Sequence, residues 1–270
     1  MTSEGAKTIE QRSATSDAHA DVTFFSSWFC PYAQRAWIAL EEKGVAYKYV
    51  EINPYEIGAD GDTKRALSLE QKRERYPEFV RCSPRGLVPA LNHGKPVWES
   101  LVAAEYIDEA FDGPPLMPSH PHERALVRIW MAHCNDRVIP HYYKALMAET
   151  EEGRQAARDN FINGLYELGS FMHSLSPSGG CFLGGDRFSL MDIALAPWWQ
   201  RAAVVLRHYR GFKFPEDGPV WQRLHSWFDA VAGRPSYQRT VVSPEELIRN
   251  YAGYADNSAT SDAAKKFRDS

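Results

Sequence analysis

The residues best able to do chemistry in this sequence begin at Cys30-Pro31-Tyr32-Ala33. Proline lacks an N–H and has a preset φ, so Pro31 suits the first position of a helix and makes Cys30 its N-cap. The thiol then faces amides that have no partner within the helix, and a thiolate there gains about 1–2 kcal/mol from the helix's positive end. Such a thiol is a nucleophile for disulfide exchange. Position 33 is Ala, so no second cysteine three residues on can resolve a mixed disulfide, and the resolving thiol must arrive from outside the chain. A cysteine serving as a small buried apolar side chain is the alternative. The Cys-Pro junction at a strand-to-helix turn favours chemistry, because ligands meet helix N-termini at that edge of a βαβ unit.

Two further stretches can hold a ligand beside that thiol. After the turn Ser83-Pro84-Arg85-Gly86, Val88-Pro89 opens a strand, and the bond between them is a candidate cis peptide that would present backbone N–H and C=O groups to an extended ligand. An ordinary edge proline is the alternative. Glu99-Ser100 precedes a helix. Ser100 is a good N-cap, the helix start can receive a carboxylate, and Glu99 can pair with an ammonium group. Capping alone would explain Ser100 but not Glu99. His93, His133 and His141 form no relay with Cys30 at any spacing in the chain, and Cys82, Cys134 and Cys181 are read as packing residues.

These residues need a scaffold, and its order is visible. The stretch 22–27 (VTFFSS) reads as a strand, 31–43 as a helix ending at Gly44, and 45–52 as a second strand. Residues 53–73 break the pattern with Pro, Gly and charge and read as a long loop or partly helical insertion. Residues 87–91 and 96–98 flank a hairpin turn at 92–95, and 100–111 returns to helical spacing. The order βαβ then ββα builds a four-stranded mixed sheet with helices on its faces. The proline-rich stretch 112–121 marks a linker. Beyond it every periodic stretch is helical: 122–149, 154–175, 190–209, 219–233 and 244–254. Ser189 with Asp192 three residues on is a capping-box variant that starts a buried helix, with Phe188 as its staple. The expected organisation is a flexible leader over 1–20, an α/β domain over 21–111, a linker over 112–121, an all-helical domain over 122–255 and a disordered tail over 256–270.

Composition narrows the classes of function. A chain of 270 residues with 44% hydrophobic and 13% aromatic residues, 8 of them Trp, supports two ordered domains. The formal charge of −4 and the absence of a long basic run argue against nucleic acid as a partner. No window is apolar for long enough to span a membrane, and the leader has no apolar core of a signal peptide. Four widely spaced cysteines without metal-ligand spacing point to reduced thiols in a cytoplasmic protein with no metal.

Cys30-Pro31-Tyr32-Ala33, Gly86-Leu87-Val88-Pro89-Ala90-Leu91, Glu99-Ser100 and the Ser189-to-Asp192 box, in this order, resemble a cytosolic glutathione transferase, and a cysteine in C-P-Y-A is most similar to the omega class. The resemblance covers residues 22 to about 235. It implies a thioredoxin-like N-terminal domain, an all-helical C-terminal domain, glutathione held between them, and a homodimer. It further implies that Cys30 attacks or holds the mixed disulfide, that the Val88 backbone, at Pro89, pairs with the cysteinyl part of glutathione, and that Glu99 and Ser100 hold its γ-glutamyl end. The insertion over 53–73 is longer than the family's usual connection, which leaves Arg75, or else Lys72, for the glycyl carboxylate. The tail after 255 has no counterpart. For the co-substrate, Tyr32, Trp130, Met131, Trp198, Arg201 and Trp227 are the expected lining.

The reading that follows is a glutathione-dependent thiol transferase or reductase acting on small hydrophobic or glutathionylated substrates, with dehydroascorbate reduction among the family's reactions. The competing reading is a non-catalytic carrier or interaction module on the same fold.

Overall fold

The computed structural model describes residues 17–57, 64–175 and 180–268. In chain order the elements are β1 (Thr23–Ser26), α1 (Pro31–Lys43), β2 (Lys48–Glu51), β3 (Tyr55–Ile57), β4 (Lys64–Ala66), α2 (Leu69–Arg75), α3 (Pro77–Cys82), β5 (Ala90–His93), β6 (Lys95–Trp98) and α4 (Ser100–Ala110). There follow α5 (Pro121–His133), α6 (Ile139–Met147), α7 (Glu151–Leu175), α8 (Leu190–Arg201), α9 (Arg207–Arg210), α10 (Pro219–Ala232), α11 (Pro235–Thr240), α12 (Pro244–Ala255) and α13 (Asp262–Arg268). The chain divides into two compact units. One holds the chain up to Pro54, Leu67–Leu116 and Gly233–Val241; the other holds Tyr55–Ala66, Met117–Ala232 and Val242–Ser270.

The first unit is built on a four-stranded sheet in the order β2-β1-β5-β6, with β1 and β2 parallel and the other pairs antiparallel. Side chains alternate along a strand, so neighbouring phenylalanines of β1 serve opposite faces. Phe24 packs toward α1 with Trp37, Tyr47 and Tyr49 at ring separations of 6.4, 5.8 and 5.8 Å. Phe25 meets Phe79 of α3 at 5.8 Å, in a cluster with Ile52, Val80, Cys82 and Ala90. Both faces of β1 are thus covered, which is why a phenylalanine stands on each. Helix α1 starts at Pro31 after the N-cap Cys30 and stops at Gly44, whose φ of 66° is the left-handed conformation that glycine adopts without cost. Helix α4 lies against α1, tied by the buried pair Lys43–Asp108 (3.1 Å) and by Arg35. The late segment with α11 grips the same helix: Arg234 and Ser236 bind Glu42, and Gln34 Nε2 donates to Thr240 O (3.3 Å).

The second unit is helical apart from the hairpin β3–β4, whose Ala66 N–H donates to Thr260 Oγ1 (2.9 Å). Its core contains Tyr142, Phe161, Leu165, Trp198, Leu224 and Trp227, none of which has accessible surface. Burying each large apolar side chain contributes about 1.5–3 kcal/mol. The box at the start of α8 is present: Asp192 accepts from the Ser189 N–H (2.7 Å) and hydroxyl (2.9 Å), the Leu183 N–H (2.8 Å) and Trp227 Nε1 (2.8 Å). Burial pushes its carboxyl up, and these four donors pull it back.

Four sequence expectations are corrected or refined. The insertion at 53–73 is a short hairpin followed by α2, which Ser68 and Gln71 start with a reciprocal capping box. The tail expected to be disordered forms α13, anchored where Phe267 stacks on Tyr143 at 4.4 Å and 8°; one aromatic in a polar stretch was too weak a signal to read. The domain drawn over 122–255 is interrupted, because 233–241 belongs to the first unit. The helices expected over 122–149 and 190–209 each contain a π-helical turn, at Cys134–Val138 and Ala202–Leu206. The expected leader lies outside the described residues up to position 16, and Asp17 is already paired, its N–H donating to Tyr47 O (2.7 Å).

Candidate functional site

The strand register brings three chain segments to one end of the first unit's sheet. Phe25 lies opposite Ala90, and Ala90 opposite Trp98. The chain leaves β1 toward Cys30, enters β5 from Val88-Pro89 and leaves β6 into Glu99-Ser100, all at that row. With strands about 4.8 Å apart, β1 and β6 are separated by roughly 10 Å, the reach of one extended tripeptide.

Cys30 is half-buried and in no disulfide. Its N–H donates to Ser27 O (2.9 Å), and its C=O accepts the first helical bond, from Gln34 N (3.0 Å), as an N-cap should. The Val88–Pro89 bond is cis. Neither the N–H nor the C=O of Val88 has a hydrogen-bond partner among the described residues, and Val88 is half-buried. The preceding turn is held by Ser83, whose hydroxyl donates to Leu87 O (2.7 Å) and accepts from Leu87 N (3.1 Å).

Glu99 stands at φ 69°, ψ 122°, one of two described non-glycine residues with positive φ. A side-chain-bearing residue held there stores about 1–3 kcal/mol and is characteristic of functional positions. Its carboxylate is exposed and meets Arg85 Nη1 at 3.1 Å. Ser100, the first residue of α4, is buried, and its hydroxyl accepts from Arg35 Nη1 (3.2 Å). Arg35 is fully buried and also lies over the Tyr32 ring at 5.7 Å. Sequence reasoning missed Arg35; the available signal was a lone guanidinium inside the apolar stretch Ala33 to Leu40. On α2, Lys72 is buried with Nζ on Gly86 O (3.0 Å), two residues before Val88, whereas Arg75 is exposed beside Tyr76.

The expected co-substrate lining fares differently. Trp198, Arg201 and Trp227 have no accessible surface. Arg201 donates to Tyr251 OH (3.0 Å) and Pro197 O (2.8 Å), and Trp227 is spent on Asp192. All three are core, which corrects their placement on a pocket wall, and Met131 is buried with them in the second unit. Trp130 is half-buried beside Phe171, their ring centroids 4.6 Å apart and tilted by 30°, and Tyr32 is half-buried. Among the other cysteines, Cys82 and Cys134 are buried and Cys181 is exposed. Burial pushes the Cys82 thiol up. Among the described residues no cluster of His, Cys, Asp and Glu is placed to hold a metal ion, and no helix is long and apolar enough to cross a membrane.

Comparison with known proteins agrees with this geometry. Residues 29–110 match the family model for the glutathione S-transferase N-terminal domain, and residues 151–230 match that for its C-terminal domain. Glutathione S-transferase U16 of Arabidopsis thaliana is 33% identical over 230 residues, covering 83% of this chain and 88% of the relative. The crystal structure of glutathione transferase Omega 3C from Trametes versicolor superposes with a TM-score of 0.74 at 34% identity, over 94% of this chain and 97% of that one. That of a Tau class glutathione S-transferase from mango, Mangifera indica, gives 0.72 at 26% identity, over 87% and 98%. Both halves match in order and relatives are covered over most of their length, so the chain belongs to the glutathione S-transferase family, with glutathione as its co-substrate.

Proposed function

We propose that this protein is a cysteine-type, omega-like glutathione transferase that exchanges thiols and disulfides through Cys30. The observation that carries the reading is Cys30 as N-cap of α1, in no disulfide and on the sheet end shared with cis-Pro89 and Glu99-Ser100. The Cys30 thiolate attacks the glutathione sulfur of a mixed disulfide, and the substrate leaves as a thiolate that takes up a proton. A glutathione thiolate then attacks the Cys30–glutathione disulfide, which releases oxidised glutathione and returns the Cys30 thiolate. The Val88 backbone pairs with the cysteinyl part of glutathione, Glu99 and Ser100 take its γ-glutamyl ammonium and carboxylate, and the basic face of α2, Arg75 with Lys72 as the alternative, takes the glycyl carboxylate. Glutathionylated and small hydrophobic molecules are the substrates.

What favours the enzyme over a carrier is that Cys30, Val88-Pro89 and Glu99-Ser100 stand together at one end of the sheet. The test is glutathione-dependent reduction of the mixed disulfide of glutathione and 2-mercaptoethanol by wild type and Cys30→Ala. Loss of at least about a hundredfold in the variant is expected. Equal rates, or an inactive wild type that still binds an apolar dye, would sink the reading.

The proposal extends to a cytoplasmic homodimer. Cysteines outside any disulfide suit a reducing compartment, and Trp98 and Val102 are large exposed apolar side chains on the first unit. Cell fractionation and sedimentation velocity check the two parts.

A further inference from the structure

The turn that carries Cys30 is fastened to the end of β2 by side chains for which the glutathione site has no use. The register sets Ser26 beside Glu51. Ser26 O accepts from the Ile52 N–H (2.7 Å), and the Ser27 hydroxyl donates back to Ile52 O. One residue on, the Trp28 N–H donates to Glu51 Oε2 (3.3 Å), the oxygen that also receives the Tyr49 hydroxyl (2.8 Å). The turn then closes on itself through Cys30 N–H and Ser27 O (2.9 Å). Tyr49 is itself set by the core, with Phe24 at 5.8 Å and Trp37 at 5.1 Å. Burial and the neighbouring Glu51 charge both push its phenol up, so the hydroxyl stays a donor.

These contacts have a direction: the core places Tyr49, Tyr49 places Glu51, and Glu51 places the Trp28 amide two residues before the thiol. From this chain of contacts we infer that Glu51 is a positioning residue for Cys30, its carboxylate bridging the Tyr49 hydroxyl and the Trp28 amide so that the turn aims the thiol from the N-terminus of α1. The inference rests on Cys30 being the reacting thiol. Glu51 acts through Trp28, and its value is geometric: misplacing a reacting atom by about an ångström costs up to roughly a hundredfold in rate.

The test uses the full chain as wild type, Glu51→Ala, Glu51→Gln and Tyr49→Phe. Alkylation of Cys30 by iodoacetamide is followed by peptide mass spectrometry against exposed Cys181 in the same molecule, beside kcat and KM for glutathione. Glu51→Ala is expected to lower the Cys30/Cys181 rate ratio and kcat by about fivefold or more, with the glutathione KM within about twofold. Glu51→Gln retains an acceptor oxygen and should restore both to within about twofold of wild type, while Tyr49→Phe falls between. An unchanged ratio in folded Glu51→Ala overturns the inference. So does a Gln variant as impaired as Ala, which would make charge rather than placement the cause, or a raised KM at constant ratio. Should Glu51→Ala not fold, an unchanged ratio in Tyr49→Phe overturns it equally. A wild type without disulfide exchange whose ratio still falls in Glu51→Ala would refute the proposed function and support the positioning.

Discussion

Glu99 separates backbone strain from ligand binding within one residue. At φ 69° any side chain with a Cβ is held against its preference, at about 1–3 kcal/mol. Glycine in that place loses the strain and gives back about 0.5–1 kcal/mol through its freer unfolded chain. Alanine keeps the strain. Both substitutions remove the same exposed contact with Arg85, worth at most about 1 kcal/mol, so it cancels between them. Glu99→Gly should therefore be more stable than Glu99→Ala by about 0.5–2 kcal/mol, or about 1–8 °C in melting temperature for a chain of this length, and the ordinary preference for glycine over alanine at an N-cap acts in the same direction. Both variants should lose the ammonium contact to glutathione, worth about 1.5–3 kcal/mol for a charge-assisted hydrogen bond, and so raise the glutathione KM roughly 10- to 150-fold. Calorimetry and steady-state kinetics read the two effects separately. Alanine as stable as glycine would refute the strain, and an unchanged KM would refute the role of the carboxylate.

Asp192→Ala strands the N–H groups of Leu183 and Trp227 inside the second unit, and at about 1–3 kcal/mol for each buried donor the loss should reach about 3–5 kcal/mol; a urea midpoint that moves by less than the equivalent of 1 kcal/mol would show that water or neighbours replace the carboxylate. Phe267→Ala removes the ring stacked on Tyr143 and should free α13 at a local cost of about 3 kcal/mol, seen as faster tryptic cleavage after Lys265 and Lys266; equal cleavage rates would mean that the tail is held elsewhere.

What the sequence disclosed, and what it withheld, divides by the range of the interactions. Cys30, Pro31 and Gly44 delimit α1 correctly because capping is decided within a few residues, by φ preferences and orphan amides. The same holds for the Ser189–Asp192 box, whereas Ser100, expected as an N-cap, is the first residue of α4, with Glu99 in the cap position, no side-chain cap bond and the Ser100 hydroxyl on Arg35 instead. The hairpin in the insertion was hidden because its strands are three residues each and one of them is charged, Lys64-Arg65-Ala66, so no alternation of apolar residues marks it. Trp198, Arg201 and Trp227 were misplaced for a different reason. For Trp198 and Arg201, on the wholly buried α8, there is no polar face from which to tell inside from outside; Trp227 is on the buried stripe of α10 with Val220, Leu224 and Val231, where an indole reads the same whether it awaits a ligand or is already satisfied. Only the partners decide, and these lie far along the chain: Tyr251 for Arg201, Asp192 for Trp227. Glu51 is the reverse case. As a charged residue within the expected strand 45–52 it carries no signal of its own, and it gains meaning only when the parallel pairing of β1 with β2 sets it beside the turn that presents the thiol. A local pattern can therefore nominate the nucleophile, but the residues that aim it come from the sheet register, which no single stretch of sequence contains.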